Sequence, residues 1–509
     1  MGLAVDVAAG RAVGTVALGV PLRAKLSPAD VDYRVAATLT DVDTDRLIPG
    51  RRVTAETLTL EATPDAVSVA GDARFDDVPL RFAYARAIRD NPEGLASVTG
   101  DIAVTDAGLR GLGIALPRGM VRGTGRARYA LALAKGQAPV FTVEADLGGN
   151  RLALPALAWA KGPGRAAALT VRGALTTPPR IDRVALSAPG MRAEGRLRLA
   201  AGGLAEARLD RLRVGGWIDA PVVYRPGRAQ SRVEIRGGTV DLRNLPKLGG
   251  GGGQTVELAI AATRLRVAAG IALHGCSGRV TAGQGLSGRF EGRVNDGAAM
   301  TGVLRPGPTV YLQARDGGAA LRDAGLYDNI RGGTLRVSLS QLADGVFDGR
   351  FSLQSSRLVN APVVAEILAA ANPISLIDRL AGKGIGFDDA QGWFTLARDR
   401  ITIARARAVG PARGLTLSGD FAPTTGRVAL QGVVSPLYTL NGLPARIPLL
   451  GRLIGGRAGE GVFGITFQVG GRARAPDIAI NPLSLLTPGA AREIFMTRQA
   501  LDPVFPEAE

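Results

Sequence analysis

The 509-residue sequence has one cysteine, Cys276, and one histidine, His274. A lone cysteine excludes an intrachain disulfide. A lone histidine removes most histidine-based metal sites and catalytic pairs. The two stand close together in LHGCSG, so a two-ligand fragment exists. Zinc needs further ligands, and none has a spacing signature here, so a loop histidine is the plainer expectation. Aromatic residues make up only 5% of the chain, which points to sheet faces of small side chains rather than a core of large rings. Long hydrophobic runs are missing too. A spanning helix needs about 18 uncharged apolar residues. The nearest approach, 447–455, is short and interrupted by Arg452. The first twenty residues carry Asp6 and Arg11 within their apolar pattern, and read as neither signal peptide nor span.

Lysine is scarce as well, at 25, 135, 161, 247 and 383 only, so arginine supplies nearly all of the positive side of a formal charge of +17. Three readings compete for this charge. Nucleic-acid binding calls for basic patches with stacking aromatics or a recognisable module, and neither is present. A solvated strand face accounts for arginines set one or two at a time, as at Arg126 and Arg128 or Arg405 and Arg407. Attraction to anionic lipid headgroups is the third and is compatible with the second.

What the sequence has in quantity is alternation and glycine, with 70 glycines in the chain. From the start to about 345, apolar residues recur with period two between Gly, Pro and Asp punctuation. Val67 and Val69 share a face, and Leu80, Phe82 and Tyr84 repeat it after a turn at Asp76-Asp77. The pattern predicts a mainly β protein: an elongated, twisted antiparallel sheet curled into an apolar groove, with a few short helices near the C-terminus. Leu109 and Leu321 each begin a stretch with room for a turn or two of helix. The run 249–253 is all glycine, a flexible loop or joint. No Lys-Ser/Thr follows it, so it is not a phosphate loop.

After about 345 the alternation sharpens. Helical passages are expected at 362–371, 374–380, 437–454 and 489–496; those at 362–371 and 437–454 read either as caps on the sheet or as amphipathic contacts with a membrane or partner. The organising stretch runs from 358 to 497. It contains LVNAPVVAEIL, GIGFDDAQGWFTL, VGPARGLTLSGDFAPTTGRVALQGVVSPLYTLN, RIPLLGRLIGG, GVFGITFQVGG and PDIAINPLSLLTPG. This ordered series resembles the AsmA-like C-terminal region of the YhdP type, and more distantly TamB. The earlier strands resemble the same family only in style. Three segments are therefore expected: a repetitive β-groove body at 1–345, the AsmA-like region at 346–497 and a frayed tail at 498–509.

The resemblance implies an inner-membrane-associated periplasmic protein with a long apolar β groove. Such proteins are implicated in carrying phospholipid between the inner and outer membranes. The partners implied are phospholipid acyl chains, the inner membrane and outer-membrane components, with no nucleic acid. No catalytic or cofactor residues belong to the family, and no cofactor is expected. Family members begin with a membrane anchor, which this chain as given does not carry. The groove-lining candidates are Phe351, Leu353, Phe394, Leu396, Phe463, Ile465, Phe467 and Val469. Each reads equally as ordinary core. The alternative function is a scaffold for assembling outer-membrane proteins, using an exposed sheet edge. A hydrolase is disfavoured: Asp388 and Asp389 are adjacent, so on a strand they point to opposite faces, and a turn before Trp393 is expected there.

Overall fold

The computed structural model describes residues 8–22, 30–48, 51–114, 116–201, 203–244, 255–283, 285–306, 309–343, 345–361, 364, 384–397, 399–410, 413–436, 465–473 and 475–481. They are mainly β, in two compact units, Met1–Arg228 and Ala229–Glu509.

In the first unit each long strand pairs antiparallel with its successor in the sheet. The series runs Ala9–Gly19, Asp32–Ile48, Arg51–Ala62, Ala66–Phe75, Val78–Ala87, Ala96–Val104, Gly125–Leu133 and Val140–Asp146. It continues through Ala168–Ala174, Arg180–Ala188, Met191–Ala200, Gly203–Val214 and Ile218–Arg225. The turn expected at Asp76-Asp77 is a two-residue hairpin loop with both aspartates at positive φ. Its strain is offset locally, because the Asp76 carboxylate accepts from the Arg52 backbone N–H and the Arg51 guanidinium.

Two insertions interrupt this meander. One carries the helix Asp106–Gly111, capped by the Thr105 hydroxyl, which accepts from Gly108 N–H. The helix begins a few residues before the sequence pattern placed it. The other supplies Asn150–Leu154 and Trp159–Lys161, which form a small three-stranded sheet with Val121–Gly123 of the first insertion. Its anchors are buried. Asn150 Nδ2 donates to the carbonyls of Val104 and Gly123, and Trp159 Nε1 donates to that of Pro189. Lys161, also buried, spends its ammonium on the carbonyls of Leu147, Gly148 and Arg165 at 2.7, 3.2 and 2.8 Å. Burial pushes its pKa down, while Asp146 opposes the shift.

The second unit opens differently from the all-antiparallel expectation. Gln230–Arg236 and Thr239–Asp241 both run parallel to Thr255–Ala268. Gly237 and Gly238, both at positive φ, kink the chain between them. Parallel neighbours need a long return connection, and here it passes through 245–254. The glycine run at 249–253 lies there, outside the described residues. From Thr255–Ala268 onward the meander is antiparallel: Ile271–Ala282, Leu286–Val294, Ala299–Leu304, Thr309–Ala314, Ile330–Ala343 and Val346–Leu358. Ile385–Leu396, Ile401–Gly410, Arg413–Ala422, Arg427–Pro436, Ile465–Arg472 and Ala475–Asn481 complete it.

The boundary expected at 345 falls in the turn of a hairpin whose strands pair over nearly their whole length. Asp388 and Asp389 lie inside a strand, not in a turn, because Ile385–Leu396 keeps one register with Val346–Leu358 on either side of them. The helix near Leu321 is Gly317–Asp323, N-capped by the Asp316 carboxylate. Both helices among the described residues thus precede 345. The passages expected at 374–380, 437–454 and 489–496 lie outside those residues, as does 362–371 apart from Val364. No helix among the described residues is long and apolar enough to cross a membrane.

Lys161 generates the first prediction. Methionine fits the space but leaves three carbonyls without a donor. An unsatisfied buried polar group costs about 1–3 kcal/mol. Lys161→Met is expected to lower the denaturation midpoint accordingly, as read by urea unfolding.

Candidate functional site

Pairing register decides which side chains share a face. In the first unit, Leu60, Val69, Tyr84, Val98, Leu131, Phe141, Gly173 and Ile181 follow one another across successive strands, all on one side. In the second, Ile260, Gly278, Phe290, Gly302, Leu312, Val337, Phe351, Gly392, Ala406, Leu417, Gly432 and Phe467 do the same. Each unit therefore has one apolar face. Over most strands that face is half-buried: Phe82, Tyr84, Val98, Leu131, Phe141, Val171, Val184 and Leu186 remain in part accessible. Facing layers of a sandwich bury such residues fully.

Rings on this face lie over glycines of the next strand. A Cβ on Gly302 would sit 2.1 Å from Phe290 Cζ, and one on Gly349 would sit 2.4 Å from Phe394 Cζ. Gly432 lies under Phe467 and Gly100 under Tyr129 in the same way. The Tyr129 hydroxyl reaches across Gly100 to donate to the Arg81 carbonyl. Burial, together with Asp101, pushes that phenol up to about 12. Each glycine lets a ring fold down onto the sheet, which keeps the face low and continuous.

The sequence-predicted lining residues divide into groups. Phe351 and Phe394 are half-buried neighbours, with ring centroids 6.3 Å apart, and Leu396 is half-buried beside them. Leu353 is buried beneath the helix Gly317–Asp323, whose first glycine approaches its Cδ1. Ile465, Phe467 and Val469 are buried too, packed with Val434, Ile385 and Phe387 in a local core. Phe463 lies outside the described residues. All seven described candidates share the apolar face. Phe290 occupies that face too, and Phe82, Tyr129 and Phe141 occupy the apolar face of the first unit; none of the four is among the lining residues expected from sequence. A glycine opposite each ring marks them, but that signal needs the strand pairing to be read.

His274 is not a loop histidine. It sits within the strand Ile271–Ala282, opposite Arg264 and Arg293. Its Nδ1 lies 2.7 Å from Asp296 Oδ2, and its Nε2 accepts from Arg264 Nε. Among the described residues no three His, Cys, Asp or Glu side chains converge to hold a metal. Asp389 accepts from Gln391 Nε2 at 2.7 Å, while Asp388 is exposed. Cys276 is 1% exposed, and burial alone pushes its thiol up to about 11.

Two predictions follow from these sites. At neutral pH Cys276 is expected to resist maleimide until the protein unfolds. Above about pH 9 the unfolded thiol loses its proton, while the folded thiol keeps it to about 11. Stability should therefore fall across that interval, as read by denaturation on either side of it. The glycines give a contrast. A Cβ on Gly100 would meet the Arg81 carbonyl oxygen at 1.9 Å, which is backbone, whereas Gly302 meets only a ring able to swing away. Gly100→Ala should cost about 2 kcal/mol or more. Gly302→Ala should cost less, and Phe290→Leu should largely rescue it.

Comparison with models of protein families, with curated proteins and with solved structures finds no match to this chain.

Proposed function

We propose that this protein is a non-enzymatic cell-envelope carrier that holds phospholipid acyl chains along its apolar sheet face. The single observation carrying the reading is that within each unit an apolar face runs through strand after strand in register and stays half-accessible over most of them. Acyl chains gain about 0.8 kcal/mol per buried CH₂. Spread along a face of similar side chains, such a gain holds a lipid without fixing it at one point. The resemblance of 358–497 to the AsmA-like region supports the same role, between inner and outer membranes.

A second reading has its own observation. Every residue of the strand Ala9–Gly19 is exposed, and among the described residues it pairs only with Asp32–Ile48. Val13, Val16 and Leu18 are each about two-thirds exposed. A free apolar edge accepts a strand from another chain, as a scaffold for outer-membrane barrels requires.

Native mass spectrometry of the full chain, purified in mild detergent and followed by lipid extraction, separates the two. The carrier reading expects several phospholipids per chain, and fewer in Phe82→Asp, Phe141→Asp and Phe351→Asp variants whose far-UV spectra are unchanged. A lipid-free chain that co-purifies with a barrel protein overturns it in favour of the scaffold.

A further inference from the structure

The reverse of the apolar face is not uniform in charge. Across the strands from 66 to 146, opposite signs face one another: Asp72, Arg81, Asp101, Arg128 and Glu144 form one cross-strand row. Arg81 and Asp72 close to 2.8 Å. The next strands break this rule on the same side of the same meander. Arg172 stands opposite Arg183, Arg180 opposite Arg198, Arg192 opposite Arg213 and Arg196 opposite Arg208. Like charges directly opposite are destabilising. On the second set opposite signs still meet at Glu194 and Arg211 and at Arg198 and Glu206, but the four arginine pairs carry a local cost that folding alone does not explain.

Residues 168–214 contain nine arginines against four acidic residues. Salt bridges engage three of the arginines: Arg180 with Asp182, Arg192 with Glu194 and Arg211 with Asp219. Arg172, Arg183, Arg196, Arg198, Arg208 and Arg213 have no acidic side chain within ion-pair distance among the described residues. All but the half-buried Arg208 are exposed. The hydrogen bond from Arg192 holds the Glu194 carboxyl below the usual range, and Arg183 and Arg211 add to the effect.

The chemistry of the occupant follows from what accompanies the arginines. Residues 168–214 hold no Phe, Tyr or Trp, so bases find no stacking platform. The arginines are spread over four adjacent strands spaced about 4.8 Å apart, rather than along one projecting helix or ribbon that enters a groove. Guanidinium is the side chain best matched to phosphate oxygens. We propose that this arginine field docks the protein on an anionic phospholipid bilayer surface, by headgroup contact on the face opposite the apolar one. No large apolar side chain interrupts the field, so attachment is electrostatic, reversible and salt-sensitive. It does not depend on whether the apolar face carries lipid.

The test uses the full chain with sucrose-loaded vesicles of phosphatidylcholine, with and without phosphatidylglycerol, at low and high salt. Sedimentation is expected only with the anionic vesicles and only at low salt. One basic side chain near a charged surface is worth roughly fivefold in affinity, so Arg196→Ser with Arg208→Ser should weaken binding about 25-fold. The same double variant should melt at a higher temperature than the parent, because it relieves a repulsive pair; that readout also establishes folding. Arg81→Ser, in the alternating row, should bind as the parent does. Equal binding to neutral vesicles, unchanged binding by the double variant, or preferential capture by duplex DNA or RNA that strips the vesicles away would each overturn the proposal.

Discussion

Cross-strand register is the constraint on which everything else here depends. Successive side chains on a strand point to opposite faces, so a slip of one residue between any two strands would move apolar residues to the charged side and arginines to the apolar side. The chain meets this demand repeatedly, from Val35 opposite Ala62 near one end to Phe467 opposite Ile480 near the other. Where the register shifts, as between Ile403 and Ala406, the bulge absorbs the extra residue and the two faces resume their identities. Local cores form where the apolar face is covered, around Leu58 in one unit and around Val434 and Ile465 in the other.

Two surfaces of opposite character result, and they divide the work proposed for the molecule. On the apolar side, rings laid on glycines offer contact area on successive strands. Such a surface suits a class of molecules defined by long methylene chains. The charged side is patterned, self-neutralised across one set of strands and left positive on the next. A patterned surface is the one better suited to orientation, since it distinguishes one part of the sheet from another where the apolar face does not.

Much of this was legible beforehand because period-two alternation is a local signal. It identified the β class, the Asp76-Asp77 turn and the sharing of faces by Phe351, Leu353, Phe394 and Leu396. Features set by partners distant in sequence were not legible. The parallel pairing of Gln230–Arg236 depends on where the chain returns, and nothing within that segment encodes it. His274 looked like a loop residue because glycines flank its neighbourhood, yet Gly275 serves a bulge inside a strand. Burial divided the lining candidates for the same reason. Leu353 is covered by a helix some thirty residues earlier, while Phe351, two positions away, is not. The opposed arginines were visible as a composition, but their opposition exists only once strands are paired.

The near-complete pairing of each strand with its sequence neighbour also bears on how such a chain changes over time. A hairpin is a self-contained module: it begins and ends on the same side of the strand direction and presents the same two faces as its neighbours. Gaining or losing two strands therefore leaves every later residue facing the way it did. Losing one strand reverses the direction of all that follow and sets their faces at odds with the rest. Length in this architecture is free to vary, but in steps of two. The parallel pair after Ala229 is the place where that counting rule is suspended.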